Sequence, residues 1–411
     1  MSHYEVIVIG GGASGMMAAG RAAQLGKRVL LIEKNKQLGE KLKISGGGRC
    51  NITNAEEDIR VFLSFYGKAE QFLYSAFTQF SNKDTFTFFE GLGLPLVVQA
   101  RKRAFPHTEK ALDVFKTLVR YMEQSKVTIL ANAKVTAITG ENAAIKSITA
   151  GGQTYTADSY IVATGGVSHP ETGSTGDGFN WLRDLGHTVA KPTPTIVPIA
   201  IKESWVHSLA GVSLTFMKIT FFVDGKKAFS KTGKLLFTHF GISGPLILNS
   251  AAQVGDLLHT GEMTATIDAY PDTDHGALEK KIISIFDANK NKNVKNIFDE
   301  LVPHGTVNAI LSLLPTLDPD TKVHSVTKEQ RKQLVHLLKA LPLTVTGLMG
   351  FDRAVIADGG VPLSEVDTKT FRSTKVTNLF ITGDLLHITR PSGGFSLQLC
   401  WTSGYISGSN A

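Results

Sequence analysis

Cysteine is scarce. Two residues, Cys50 and Cys400, serve a chain of 411, too few for a disulfide framework or a four-cysteine zinc site. No His-Glu-x-x-His or Cys-x-x-Cys spacing occurs, and His107, His169 and His387 are scattered, so no metal centre is expected. Long apolar runs are missing as well: none approaches the ~20 residues of a membrane helix. The opening "MSHYEVIVIGGG" has no basic flank and dissolves into glycines, so it does not read as a signal peptide. A reducing cytoplasm is the expected home. There is neither an internal repeat nor a low-complexity tract, which sets aside solenoids and disordered scaffolds.

What is present is glycine, 40 residues of it, with 42% hydrophobic and 19% charged residues. That is the profile of a compact α/β enzyme. The length exceeds a single core, which rarely grows past about 250 to 300 residues, so more than one domain is expected. Lys and Arg number 43 against 36 Asp and Glu, a net charge of +7 that favours anionic partners. The densest basic stretch is Lys218, Lys226, Lys227, Lys231 and Lys234, with only Asp224 against it; a solvated face and a docking surface both fit.

The N-terminal pattern is strand, glycine turn, helix, strand. Tyr4 to Ile9 is β-branched and apolar, Ala13 to Gln24 is alanine-rich, and Arg28 to Ile32 is apolar again, a unit that a right-handed crossover makes parallel. Gly10, Gly12 and Gly15 stand in G-x-G-x-x-G spacing in the turn. The first allows a tight bend, the second lets a pyrophosphate approach the backbone, and the third lets helix pack on strand. Ala13 and Ser14 lie between them at the helix N-terminus, where free N–H groups favour negative charge. Glu33, followed by Lys34, ends the second strand, placed to accept from a ribose hydroxyl. This predicts dinucleotide binding.

Two further strand ends decide which dinucleotide. "YIVATGG" delivers Ala163, Thr164, Gly165 and Gly166, and "LFITGD" delivers Gly383 and Asp384; flavoproteins hold FAD from such second sides, whereas an NAD-only domain needs neither. A second G-x-G-x-x-G is missing, so NADH or NADPH would visit only transiently. "KISGGGRCNITN" supplies Gly46, Gly47, Gly48, Arg49 and Cys50, a run suited to close backbone approach. Near the C-terminus, Gly393, Gly394, Phe395 and Ser396 open a helix whose N-terminus would favour negative charge beside it.

Helices are further predicted at Ala69 to Leu92, Glu109 to Gln124, Ala277 to Asn289 and Lys328 to Lys339. Strands are predicted at 128–130, 135–139, 145–150, 160–163, 218–223 and 263–267, with a final strand at 378–384. The proline-rich "KPTPTIVPIAI" breaks the first domain. The expected division is a discontinuous FAD-binding domain, 1–190 and 346–411, with a β-rich module at 191–274 and a helical module at 275–345.

The combination of GGGASG with Glu33, "KISGGGRCNITN", "RAFP", "ATGGVSHPETGSTGDG", "FTHFGISGP" and "GGFSLQ" resembles the YhiN/BaiN-type flavoprotein family along nearly the whole chain. The resemblance implies a glutathione-reductase-like, Rossmann-type α/β fold with an FAD-binding domain interrupted by a β-barrel-like and a helical module. It implies tightly held FAD and activities that include reduction of carbon–carbon double bonds, dihydrouridine formation in ribosomal RNA and oxidation of a small amine such as aminoacetone. The chain departs from the family where Asp384 replaces a glutamate, where "LLHITRPS" supplies His387 and Arg390, and where His169 stands at a common tyrosine.

Two residues are candidates for proton transfer. Cys50 fits a proton donor opposite a flavin-delivered hydride, or else a packed core thiol. His239, in "FTHFGISG", fits an active-site residue or a structural histidine. Arg49, Arg103 and Arg390 fit phosphate binding, of FAD or of RNA. The leading expectation is reduction of a ribosomal-RNA uridine; the alternatives are small-molecule oxidation or reduction, and a non-catalytic flavin-binding RNA-assembly factor.

Overall fold

The computed structural model describes residues 2–411. They form two compact units, one of residues 2–194 and 355–411, the other of residues 195–354.

The first unit is built on a seven-stranded sheet. β1 (Ser2–Ile9) lies at its centre, parallel to β2 (Val29–Ile32) and to the strand Gln153–Val162. Their alternation is lost: Val6 to Ile9 and Val29 to Ile32 are all buried, as parallel strands covered on both faces require. Helix α1 (Ala13–Gln24) makes the crossover between β1 and β2. The short strand Thr128–Leu130 extends the sheet beyond β2.

The strand Gln153–Val162 is longer than the 160–163 expected because its two halves have different neighbours. Its first residues pair antiparallel with Ala144–Ala150, itself paired to Val135–Glu141, and its last three pair parallel with Leu379–Ile381. Register then levels the strand ends: Ile9 lies opposite both Ile32 and Val162, and Ile381 opposite Val162. All the motif turns therefore leave the same edge of the sheet, the carboxyl edge where open α/β sheets bind ligands.

The helix expected at Ala69 to Leu92 is two helices, Glu70–Gln79 and Asn82–Gly91. Ser81 caps the second, its hydroxyl accepting from the Asp84 N–H while the Asp84 carboxylate accepts from the Ser81 N–H, a reciprocal pair that restarts a chain already broken. The C-terminal helix, Phe395–Asn410, packs backbone-close on α1: a Cβ on Gly404 would come 2.4 Å from the Ser14 carbonyl oxygen, and one on Gly408 2.3 Å from that of Ala18. A small three-stranded sheet, Thr53–Asn54, Arg103–Pro106 and Leu96–Gln99, completes the unit's regular structure near the site.

The second unit contains a closed ring of six strands: Ile199–Ile201, Gly241–Ser243, Lys226–Thr238, Ser213–Val223, Met263–Asp268 and Leu341–Leu348. Helices His275–Ala288 and Lys328–Lys339 share one hydrophobic core with it, joining Leu278, Ile282, Leu334 and Leu338 to Ile219, Phe221 and Leu235. The strand Ala190–Pro194 pairs with Ala357–Gly360 inside the first unit, so the chain leaves that unit after Pro194 and returns at Val355.

Candidate active site

The turn after β1 is shaped by backbone crowding. Gly10 has φ +107°, and a Cβ there would lie 2.6 Å from the Ala163 carbonyl oxygen; a Cβ on Gly15 would lie 1.9 Å from that of Gly10. Only glycine fits either place. Gly12 differs, for it is the N-cap of α1 and a Cβ there meets nothing within 4 Å. Space is kept open at a helix N-terminus that no side chain caps, which is the form of a site for a pyrophosphate.

Glu33 is buried beside this opening. One carboxylate oxygen accepts from the Gly11 N–H at 2.7 Å and the other from the Asn35 N–H at 2.8 Å. The two N–H groups orient the carboxylate and leave lone pairs for a hydroxyl. Lys34 turns away, its Nζ held by Asp177 at 2.8 Å and by Thr175 at 2.6 Å.

The other strand ends converge on α1. Thr382 donates to Ser14 Oγ at 3.1 Å, and a Cβ on Gly383 would lie 3.1 Å from the same oxygen. Gly165 has φ +71°, and a Cβ on Gly166 would meet the Asp384 carbonyl oxygen at 3.2 Å. Thus the residues 10–15, 33, 163–166 and 383–384 form one continuous edge.

Asp384 sits between two cations. Lys41 Nζ is 3.2 Å from one carboxylate oxygen, and the Arg390 guanidinium pairs with the other. The Arg390 side chain is 1% exposed and also donates to the Ile388 carbonyl at 2.7 Å and to Ser396 Oγ at 3.2 Å. Burial opposes a charge on Asp384, but Lys41 and Arg390 outweigh it and hold the carboxyl below its ordinary range. Two cations against one carboxylate leave a net positive charge next to the start of the C-terminal helix. Sequence reasoning named Asp384 and Arg390 separately and missed Lys41; nothing local signals a partner 343 residues away.

The segment 43–54 is tied to the same place. Gly46, Gly47 and Gly48 have φ +58°, +68° and +86°, and a Cβ on Gly47 or Gly48 meets nothing within 4 Å. Thr53 Oγ1 donates to Gln398 at 2.6 Å, Trp401 Nε1 donates to the Ile52 carbonyl at 3.0 Å, and Asn54 Nδ2 donates to the Gly393 carbonyl at 3.2 Å. A Cβ on Gly394 (φ +103°) would strike the Thr53 backbone at 2.3 Å. Phe395, next in the chain, is buried, and its carbonyl accepts from Tyr66 Oη at 2.8 Å.

The two proton-transfer candidates have contrasting surroundings. Cys50 is fully buried with Ile52, Val6 and Leu42 in an apolar cluster, and burial pushes its thiol up to about 12. It offers no surface from which to hand over a proton, so burial favours the core reading over the proton donor. His239 is exposed on the turn between Lys226–Thr238 and Gly241–Ser243 in the second unit. Arg49 pairs with Glu109 at 2.9 Å and lies 4.5 Å from the centre of the Phe105 ring. Among the described residues no cluster suits a metal ion, and no helix is long and apolar enough to cross a membrane.

Open space at Gly12, Gly47 and Gly48, an oriented buried carboxylate and a cationic pair of buried Arg390 and half-buried Lys41 fit an elongated, doubly phosphorylated dinucleotide such as FAD. Comparison with known proteins agrees. The chain is 29% identical over 404 residues to the 3-dehydro-bile acid delta(4,6)-reductase of Clostridium scindens, covering 98% of this chain and 97% of that protein. It is 27% identical over 405 residues to the ribosomal RNA dihydrouridine synthase of Escherichia coli, again covering 98% and 97%. Its fold matches the 3-ketosteroid-delta4-(5alpha)-dehydrogenase of Rhodococcus jostii with a TM-score of 0.54 at 14% identity, over 99% of this chain and 96% of that one. With a family model matched from residue 4 to residue 410, the chain belongs to the HI0933-like protein Rossmann domain family and is an FAD-dependent oxidoreductase.

Proposed function

We propose that the protein reduces an activated carbon–carbon double bond, and that its substrate is a uridine of ribosomal RNA, converted to dihydrouridine. The observation that carries this reading is the end-to-end likeness to the Escherichia coli ribosomal RNA dihydrouridine synthase, which spans both units. FAD, when bound, supplies the hydride.

The chain's own residues supply placement. The open N-terminus of α1 and Gly12 receive the pyrophosphate, and Glu33 accepts from the ribose. The turns Ala163–Gly166 and Gly383–Asp384 flank the dinucleotide on its second side. Lys41 and Arg390, fixed by Asp384, hold positive charge where negative charge accumulates on reduction, next to the N-terminus of the helix opened by Gly393 and Gly394. NADH or NADPH reaches the site transiently as electron donor. With the Cys50 thiol buried, the proton comes from another group or from water; His239 is the remaining protein candidate, tested by the pH profile of His239→Ala.

A second reading, reduction of a small enone, is supported by the 29% identity to the bile-acid reductase, a likeness of the same order as that to the ribosomal RNA dihydrouridine synthases. Ribosomal RNA from cells lacking the gene separates the two. The RNA reading predicts a uridine where dihydrouridine stood, restored by the wild-type gene and not by a Gly12→Val copy; unaltered ribosomal RNA would overturn it.

A further inference from the structure

The hairpin of Leu96–Gln99 and Arg103–Pro106 turns through residues 100–102 with two charged residues in left-handed conformation, Arg101 at φ +61° and Lys102 at φ +56°. Glycine would hold this bend without strain. Lys102 is paired with Glu56 at 2.6 Å and Arg49 with Glu109. Arg101 is exposed, and among the described residues no carboxylate pairs with it or with Arg103, whose guanidinium donates to the Ala100 carbonyl at 3.2 Å. Burial, then Arg101, then Arg49 lower the pKa of Arg103. Cations are thus gathered on a strained turn with too few anions.

Asn54 links this turn to the active site, its Nδ2 donating at 3.2 Å to the Arg101 carbonyl and to the Gly393 carbonyl alike. On the same glycine pair, Phe395 lies with its ring centre 4.6 Å from that of Phe65. Phe395 is buried, but Phe65 is 44% exposed. A large ring in water and an unpaired arginine turn both adjoin Gly393–Phe395.

We propose that the Arg101–Arg103 turn and Phe65 form a rim that binds single-stranded RNA, the guanidinium groups holding backbone phosphates and Phe65 stacking a base beside Gly393. Arginine forks match phosphate oxygens in pairs, and an exposed ring accepts any base face, the combination that single-strand binders use. The choice of RNA rests on the ribosomal-RNA reading above.

The test uses FAD-loaded protein and a fluorescein-labelled, uridine-containing RNA of about 12 nucleotides, with anisotropy read across a salt series. In Arg101→Gln/Arg103→Gln the affinity falls about tenfold or more at low salt, and the slope of log affinity against log salt shrinks by about 1.4, two phosphates at about 0.7 each. Phe65→Ala weakens binding about tenfold and leaves the slope alone. Arg101→Gly keeps the turn, melts no lower than wild type, and loses about 0.7 of slope. FAD content and melting temperature confirm that each variant is folded. A wild type that ignores the oligonucleotide, or folded variants with unchanged affinity and slope, overturns the rim. Unchanged slopes alongside gene-dependent dihydrouridine would overturn the rim alone; lost slopes alongside gene-independent ribosomal RNA would support the rim and overturn the uridine reading.

Discussion

Gly12 and Gly15 stand three residues apart and answer substitution in opposite ways. Gly15→Ala drives a methyl into the Gly10 carbonyl and should cost about 3 kcal/mol of stability in urea unfolding of the FAD-free protein. Gly12→Val enters open space, so the FAD-free protein should melt within a degree or two of wild type while losing the yellow cofactor on purification. Retained FAD in Gly12→Val would place the pyrophosphate elsewhere. Asp384→Asn leaves Lys41 and Arg390 facing each other without their anion, and the expected loss is about 3 kcal/mol, since one member of a buried ion network has been removed. Cys50→Ala should keep FAD and turnover, because the thiol is a core group; a large fall in turnover with FAD retained would restore it as the proton donor.

At the scale of elements, legibility followed range. The β1–α1–β2 unit was readable because its signals are local: an apolar run, glycines at fixed offsets, an acid at the next strand end. The start of the C-terminal helix is legible for the same reason, its glycines standing immediately before Phe395. The break at Ser81 is written as Ser-Asn-Lys-Asp, a cap signal masked by the apolar residues that continue on both sides. The lengths of Gln153–Val162 and Ser213–Val223 were out of reach, since strand ends are set by neighbours far away in the chain. The same holds for Lys41–Asp384–Arg390 and for the packing of the C-terminal helix on α1. That packing predicts that Gly408→Val, whose side chain would meet the Ala18 backbone, lowers the melting temperature and loosens FAD together, because the helix that carries Gly394 can no longer seat.

For the molecule as a whole, acid sensitivity should come partly from a buried cluster outside the site. The His187 side chain is wholly buried, with Nδ1 at 2.8 Å from Glu365 and Nε2 at 2.8 Å from Ser373 Oγ. Burial works against a charge on Glu365, but Lys375, Thr188 and His187 prevail and its pKa falls to about 2. The folded state thus binds the proton less readily than the unfolded chain does, so this stabilisation is complete above about pH 4.5 and is lost as pH falls toward 2. Urea midpoints measured across that range should fall less steeply in Glu365→Gln than in wild type; parallel curves would remove the cluster from the account.

Function, in contrast, lies in the joining of an FAD edge to a substrate, and one measurement reads both. Purified protein, kept free of oxygen, is titrated with NADH or NADPH and then given ribosomal RNA from cells that lack the gene, while the visible flavin band is followed. The account predicts that the band bleaches with the nicotinamide donor and returns when the RNA is added, with dihydrouridine formed in step. A band that stays bleached with that RNA, and returns only with a small enone or with oxygen, would contradict it.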